Sequence, residues 1–124
     1  MRILVVEPQQ KPVVREIEDT LSALQEVVGG TIQALYPFEE PVALICNDEG
    51  KPLGLPMNRG LRDEDGQLYD VVCGTFFLCG LSEDSFVSLT EEQTEHFRRV
   101  FAVPELFLKI NGGLFVLPMK DGDL

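Results

Sequence analysis

Apolar and polar positions along the chain fall into two rhythms. Residues 3–6, ILVV, are an uninterrupted apolar run of strand length, ended by Glu7 and Pro8. In VVREIEDTLSALQEVVGG, residues 13–30, the apolar residues Val14, Ile17, Leu21, Leu24 and Val28 recur every third or fourth place or so. Glu16, Glu18, Asp19 and Glu26 fall opposite. This spacing predicts one amphipathic helix, stopped by Gly29–Gly30, because glycine takes the left-handed conformation at a helix end without a Cβ penalty. TIQALYPF, residues 31–38, alternates with period two and predicts a strand that Pro37 ends or places at an edge. VALIC, residues 42–46, predicts another.

Two acidic turns come next. NDEG (47–50) and DEDG (63–66) each carry glycine in fourth place, which suits a type I turn closed by a glycine bulge. The first predicts a return strand that starts with Lys51 to Leu55. LPMNRGL, residues 55–61, then reads as a rigid loop between Pro56 and Gly60. LYDVVCGTFFLCGL, residues 68–81, is rich in strand formers, with Gly74 and Gly80 marking bulges or bends. A second helix is announced by Thr90 and Gln93, a capping box, with Glu91 and Glu92 at its positive start and Arg98 and Arg99 at its negative end. Phe97, Val100 and Phe101 form its predicted buried stripe. ELFLKINGGLFVLP predicts a hairpin across Asn-Gly-Gly. KDGDL, residues 120–124, is expected to fray.

Strands cluster rather than alternate with helices. The expected fold class is therefore α+β: a curled, mostly antiparallel sheet with two helices packed on one face, in a single domain over residues 1–124.

Composition narrows the function classes. The chain has 124 residues, 44% hydrophobic and 25% charged, enough for one core without staples. No apolar run approaches the roughly 20 residues of a membrane helix, and the N-terminus lacks the apolar core of a signal peptide, so a cytoplasmic location and no membrane partner are expected. Cys46, Cys73 and Cys79 contain no CxxC. Read on one predicted strand, Cys73 and Cys79 lie about 20 Å apart and cannot share a metal. All three are expected to be small buried apolar residues.

Net charge is −11, and between Glu39 and Glu95 thirteen acids face three bases. Such a surface repels phosphate backbones and disfavours direct nucleic-acid binding. It favours a basic protein partner. A DNA-binding protein is one such partner, and DNA mimicry is the sharper form of that reading.

Catalytic templates find little support. His96, the single histidine, stands among charged residues on the second helix and reads as solvated. A histidine-based zinc site has no ligands, no glycine-rich phosphate loop opens a helix, and DEDG has its glycine at position four rather than the six a calcium loop needs. No metal or cofactor is expected, and a binding module is favoured over an enzyme.

The candidate binding residues are Asn58 and Arg59 in LPMNRGL, with Asn47, Asp70 and Tyr36. Asn58 offers donors and an acceptor, and Arg59 a planar fork for carboxylate or phosphate. The structural alternative has Asn58 closing a turn while Arg59 or Arg62 pairs with Asp70. A small-ligand or enzyme reading requires Asn58, Arg59, Asp70 and Tyr36 to converge in one pocket. A homo-oligomer reading uses the hairpin at 108–117, with Phe107, Leu114 and Phe115 as apolar surface.

The segments VGGTIQALYPF and VALICNDEGKPLGLPMNRGLRDEDGQLYDVVCGTFFLCGL resemble the family called domain of unknown function 3846. That family carries, in this order, an Asn-x-Glu-Gly-Lys turn, a Leu-Pro-x-Asn segment and an Asp-x-(hydrophobic)-x-Gly-Thr strand. The resemblance covers residues 2–103. It implies a small cytoplasmic protein of bacteria, their phages or conjugative elements, with an accessory or host-interaction role. It marks Asn47, Asn58 and Asp70 as the family's polar signature and implies no catalytic residue.

Overall fold

Three strands at the centre of the protein are apolar on both sides, and that single fact organises the rest. The computed structural model describes residues 1–119. The strands are β1 (Arg2–Val6), β2 (Val13–Glu16), β3 (Ile32–Leu35), β4 (Val42–Asn47), β5 (Met57–Arg62), β6 (Leu68–Cys73), β7 (Phe76–Leu81), β8 (Phe86–Val87), β9 (Glu105–Ile110) and β10 (Gly113–Pro118). The helices are α1 (Leu21–Val28) and α2 (Glu91–Val100). The main sheet runs β2-β1-β7-β4-β3, with the short β8 added on β7; β5–β6 and β9–β10 form separate two-stranded sheets. Every pairing is antiparallel, so the α+β architecture expected from the pattern is the one observed.

Side chains alternate across β1, β4 and β7. Ile3, Val5, Ala43, Ile45, Phe77 and Cys79 point to one face and pack on Leu24 and Val28 of α1. Leu4, Val6, Leu44, Phe76 and Leu78 point to the other, where Phe97 and Phe101 of the α2 region meet Leu61 and Val72 of the β5–β6 hairpin. The two helices therefore cover opposite faces, not the one face expected. Apolar residues at successive positions of the central strands require covers on both sides.

The first helix is shorter than its periodicity predicts. Val13–Glu16 is a strand paired with β1, and the helix starts only after Thr20, whose Oγ1 accepts from Ala23 N at 3.2 Å. Val14 and Ile17 share a helical spacing but pack into opposite cores, so they never shared a face. Two consecutive β-branched valines beside an open edge of β1, and a threonine cap six residues later, outweigh the stripe. The stop is as expected: Gly29 is left-handed at φ 77°, with its N–H donating to Gln25 O.

The two acidic turns also part company. DEDG makes the expected hairpin turn, with Gly66 at φ 79° joining β5 to β6. After NDEG the chain does not return as a strand; residues 48–54 coil in successive turns, with Leu53 N donating to Glu49 O at 2.9 Å and Leu55 N to Gly50 O at 3.0 Å. LPMNRGL is mostly strand, not loop. The chain leaves that hairpin at Gly74, φ 85°, and enters the main sheet as β7, so Cys73 and Cys79 lie on different strands.

The second helix has the full capping box, and the Asn-Gly-Gly hairpin turns through Asn111 and Gly112 at φ 50° and 81°. Phe107 and Leu114 share one hairpin face with Glu105, which holds the body through Gly60 and Arg62; the outward face carries Leu106, Ile110, Phe115 and Leu117, all exposed. KDGDL lies outside the described residues.

Candidate functional site

Asn58 and Arg59, the polar pair of LPMNRGL, are the two most deeply buried polar residues, at 0% and 1% exposure. Asn58 Nδ2 donates to Val6 O at 2.8 Å and to Gly74 O at 2.9 Å, tying β5 to β1 and to the β6–β7 crossing. Its Oδ1 accepts from Arg59 Nη1 at 3.0 Å. Arg59 Nη2 donates to Gln10 O at 2.6 Å and to Phe101 O at 3.1 Å, gathering the β1–β2 loop and the end of α2. Both face carbonyls, not the acids expected for Arg59. Burial pushes the guanidinium down to about 10, against the opposing pull of Glu105, so it remains a cation at neutral pH. Among the described residues its Nε has no partner. This is a polar knot that fastens four segments to β5, and it presents no surface to a ligand.

Asn47 works the same way on a smaller scale. Its Nδ2 donates to Val28 O at 3.1 Å, satisfying a carbonyl at the end of α1, and its Oδ1 accepts from Glu49 N at 2.8 Å, which shapes the turn. A Cβ on Gly30 would sit 2.9 Å from Asn47 Nδ2, so the second glycine of VGG makes room for this contact.

Asp70 is half-buried, and its partner is Lys51, not Arg59 or Arg62; Arg62 pairs instead with Glu105 at 2.7 Å. Burial raises the Asp70 carboxyl, but the hydrogen bonds from Lys51 and from Val71 N, with the lysine charge, hold it below the usual carboxylate value. Lys51 is raised in turn, chiefly by that hydrogen bond. Beside this pair lies a cavity of about 210 Å³ that also meets Asn47, Cys46 and Cys73. Burial raises all three thiols, Cys79 to about 12, so each is a protonated thiol at neutral pH.

Tyr36 is far more open, at 62% exposure. It lines a shallow cleft with Tyr69, also exposed, and with five carboxylates: Glu39, Glu40, Asp63, Glu64 and Asp65. The one base there, Arg62, is already engaged by Glu105. His96 lies near the same region, its Nε2 3.3 Å from Glu40. The four residues required to converge thus divide among three places: Asn58 and Arg59 in the interior, Asp70 beside Lys51, and Tyr36 on the acidic face. Sequence reasoning passed over Tyr69 and the grouping of 39–40 with 63–65. The only signal was two acidic runs, and nothing in their spacing says that they meet. Among the described residues no group of three metal-ligating side chains converges, and no helix is long and apolar enough to cross a membrane.

No curated protein and no solved structure matches the chain. The model of one family does, over residues 1–102, which takes in the main sheet, both helices, the polar knot and the acidic face and leaves out the β9–β10 hairpin. The chain belongs to the family described as Domain of unknown function (DUF3846).

Proposed function

We propose that the protein is a non-catalytic interaction module that binds a basic protein segment on its acidic face. The observation that carries this reading is the cleft between Tyr36 and Tyr69. Both of the chain's tyrosines are exposed there, beside five carboxylates and an arginine whose charge is already paired. Carboxylates attract lysine and arginine at long range, and tyrosine faces hold such cations at short range through cation–π contact. A cytoplasmic accessory role in bacteria or mobile elements fits this reading. The test is a pull-down from nuclease-treated host lysate, eluted in a salt gradient, with wild type beside the double variant Glu64→Lys, Asp65→Lys. A discrete basic protein released at moderate salt and absent from the variant supports the proposal. If that protein normally binds DNA, the carboxylates act as a DNA mimic. A partner held at high salt and indifferent to the charge reversal overturns it, because association driven by charge weakens as screening rises.

A second reading, self-association, is favoured by the outward face of the β9–β10 hairpin, where Leu106, Ile110, Phe115 and Leu117 stand exposed together. Salt separates the two readings. Copies that each carry −11 associate more tightly as salt rises, the reverse of a basic partner. A chain that stays monomeric in light scattering at high concentration and high salt removes this reading.

A further inference from the structure

A groove of about 610 Å³ runs between the β5–β6 hairpin, the coil at 51–55 and the inner face of the β9–β10 hairpin. That volume is within the range of small-molecule sites. Its apolar lining includes Leu55, Met57, Leu68 and Leu114. Its charges are not equivalent. Asp70 is engaged by Lys51 and by Val71 N, so their charges cancel. Lys109, across the hairpin from Leu114, makes no ion pair or hydrogen bond among the described residues. The groove therefore carries one uncompensated positive charge in a chain whose net charge is −11. An apolar lining beside one cation that is unpaired among the described residues is complementary to a ligand with an apolar body and one anionic end.

We propose that this groove binds a small amphiphilic carboxylate, its carboxylate on Lys109 Nζ and its hydrocarbon body along Leu55, Met57, Leu68 and Leu114. The site shares Tyr69 with the edge of the acidic face but uses none of its carboxylates, and its test at Lys109 is separate from the proposed partner binding.

Titration with decanoate and with decanol, followed by calorimetry and by backbone amide shifts, tests it. Decanoate is expected to saturate one site, with shifts confined to residues around 68–73 and 109–114, and to bind more tightly than decanol. Lys109→Met should weaken decanoate by about five- to tenfold, the loss of one charge-assisted contact, and leave decanol unchanged. Lys109→Arg should restore the preference for the acid, and the amide spectrum of each variant reports whether the hairpin is intact. The proposal is overturned if decanoate does not saturate below its micelle limit. It is also overturned if Lys109→Met binds decanoate as wild type does, if decanol binds equally well, or if the shifts map to the outward face at Leu106, Ile110, Phe115 and Leu117.

Discussion

Arg59 and Arg62 lie on the same strand, three residues apart, and belong to opposite regimes. Arg59 is sealed inside the protein with carbonyl partners from the β1–β2 loop and the end of α2. Arg62 lies at the edge of the acidic cleft, paired with Glu105. Around Arg59 the donors and acceptors are used internally, and only Nε is left over. Around Arg62 five carboxylates and two tyrosines are exposed. Asp63 accepts from Asp65 N and Gln67 N in its turn and Glu40 lies beside His96, while Glu39, Glu64 and Asp65 hold no such partner among the described residues. Residue type alone does not separate a structural polar group from a functional one. What separates them is whether the hydrogen-bonding capacity and charge have already been consumed by the fold.

The comparison breaks most readily at Arg59. Arg59→Met removes the donors of Gln10 O, Phe101 O and Asn58 Oδ1 together and leaves these acceptors buried, so destabilisation of about 3–5 kcal/mol is expected. Denaturant unfolding should show a large drop in midpoint with an unchanged slope. A variant as stable as wild type would mean that the knot does not hold these segments together.

Asn47→Ala is the smaller version of the same experiment. It strips one donor from the end of α1 and the acceptor that shapes the turn, for about 1–2 kcal/mol by the same measurement. A shift confined to unfolding stability, with partner binding intact, keeps Asn47 on the structural side of the comparison. Lost binding at full stability would move it to the other.

Asp70 sits between the regimes, and pH sharpens its place. Its carboxyl is held below the unfolded value, so its contribution is fully present above the unfolded pKa and is lost as pH falls through the lower folded one. Lys51 and Asp70 are both substantially exposed, so solvent screening keeps the effect within about 1 kcal/mol. Stability of Asp70→Asn and wild type, followed from neutral pH into acid, should converge as the native carboxyl protonates. A gap that persists below that point would assign the loss to packing rather than to charge.

The acidic face should show the smallest effect on stability. Glu64→Lys with Asp65→Lys is expected to change the unfolding free energy by less than about 0.5 kcal/mol, as exposed substitutions do. A large loss would mean that these carboxylates, too, are committed to the fold.

Much of the fold was legible in the pattern because the signals were local. The runs ILVV and VALIC, the capping box at Thr90 and Gln93, the Gly29 stop and the Asn-Gly-Gly hairpin each depend on a few neighbouring residues, and each appears where the pattern places it. The long first helix failed because Val14 and Ile17 satisfy a helical spacing and a strand pairing equally well. The choice between them was made by the open edge of β1, which is remote in sequence from both the helix and its cap.

The candidate site was legible only as residue types. Asn47, Asn58, Arg59 and Asp70 stand out among their neighbours, and in the structure each holds a specific partner. Those partners are Val28 for Asn47, Val6 and Gly74 for Asn58, Gln10 and Phe101 for Arg59, and Lys51 for Asp70. Most of these contacts span many residues, so no local pattern could name them.

By itself the sequence determined the α+β class, the acidity and where that acidity lies along the chain, because these are sums over residues or properties of short windows. Tertiary structure decided that the helices cover opposite faces, that Arg59 is buried rather than offered, and that residues 39–40 meet 63–65 beside Tyr36 and Tyr69. Those outcomes depend on which surfaces are buried against which, and burial is what turns the same arginine or carboxylate into either a fastening or a contact.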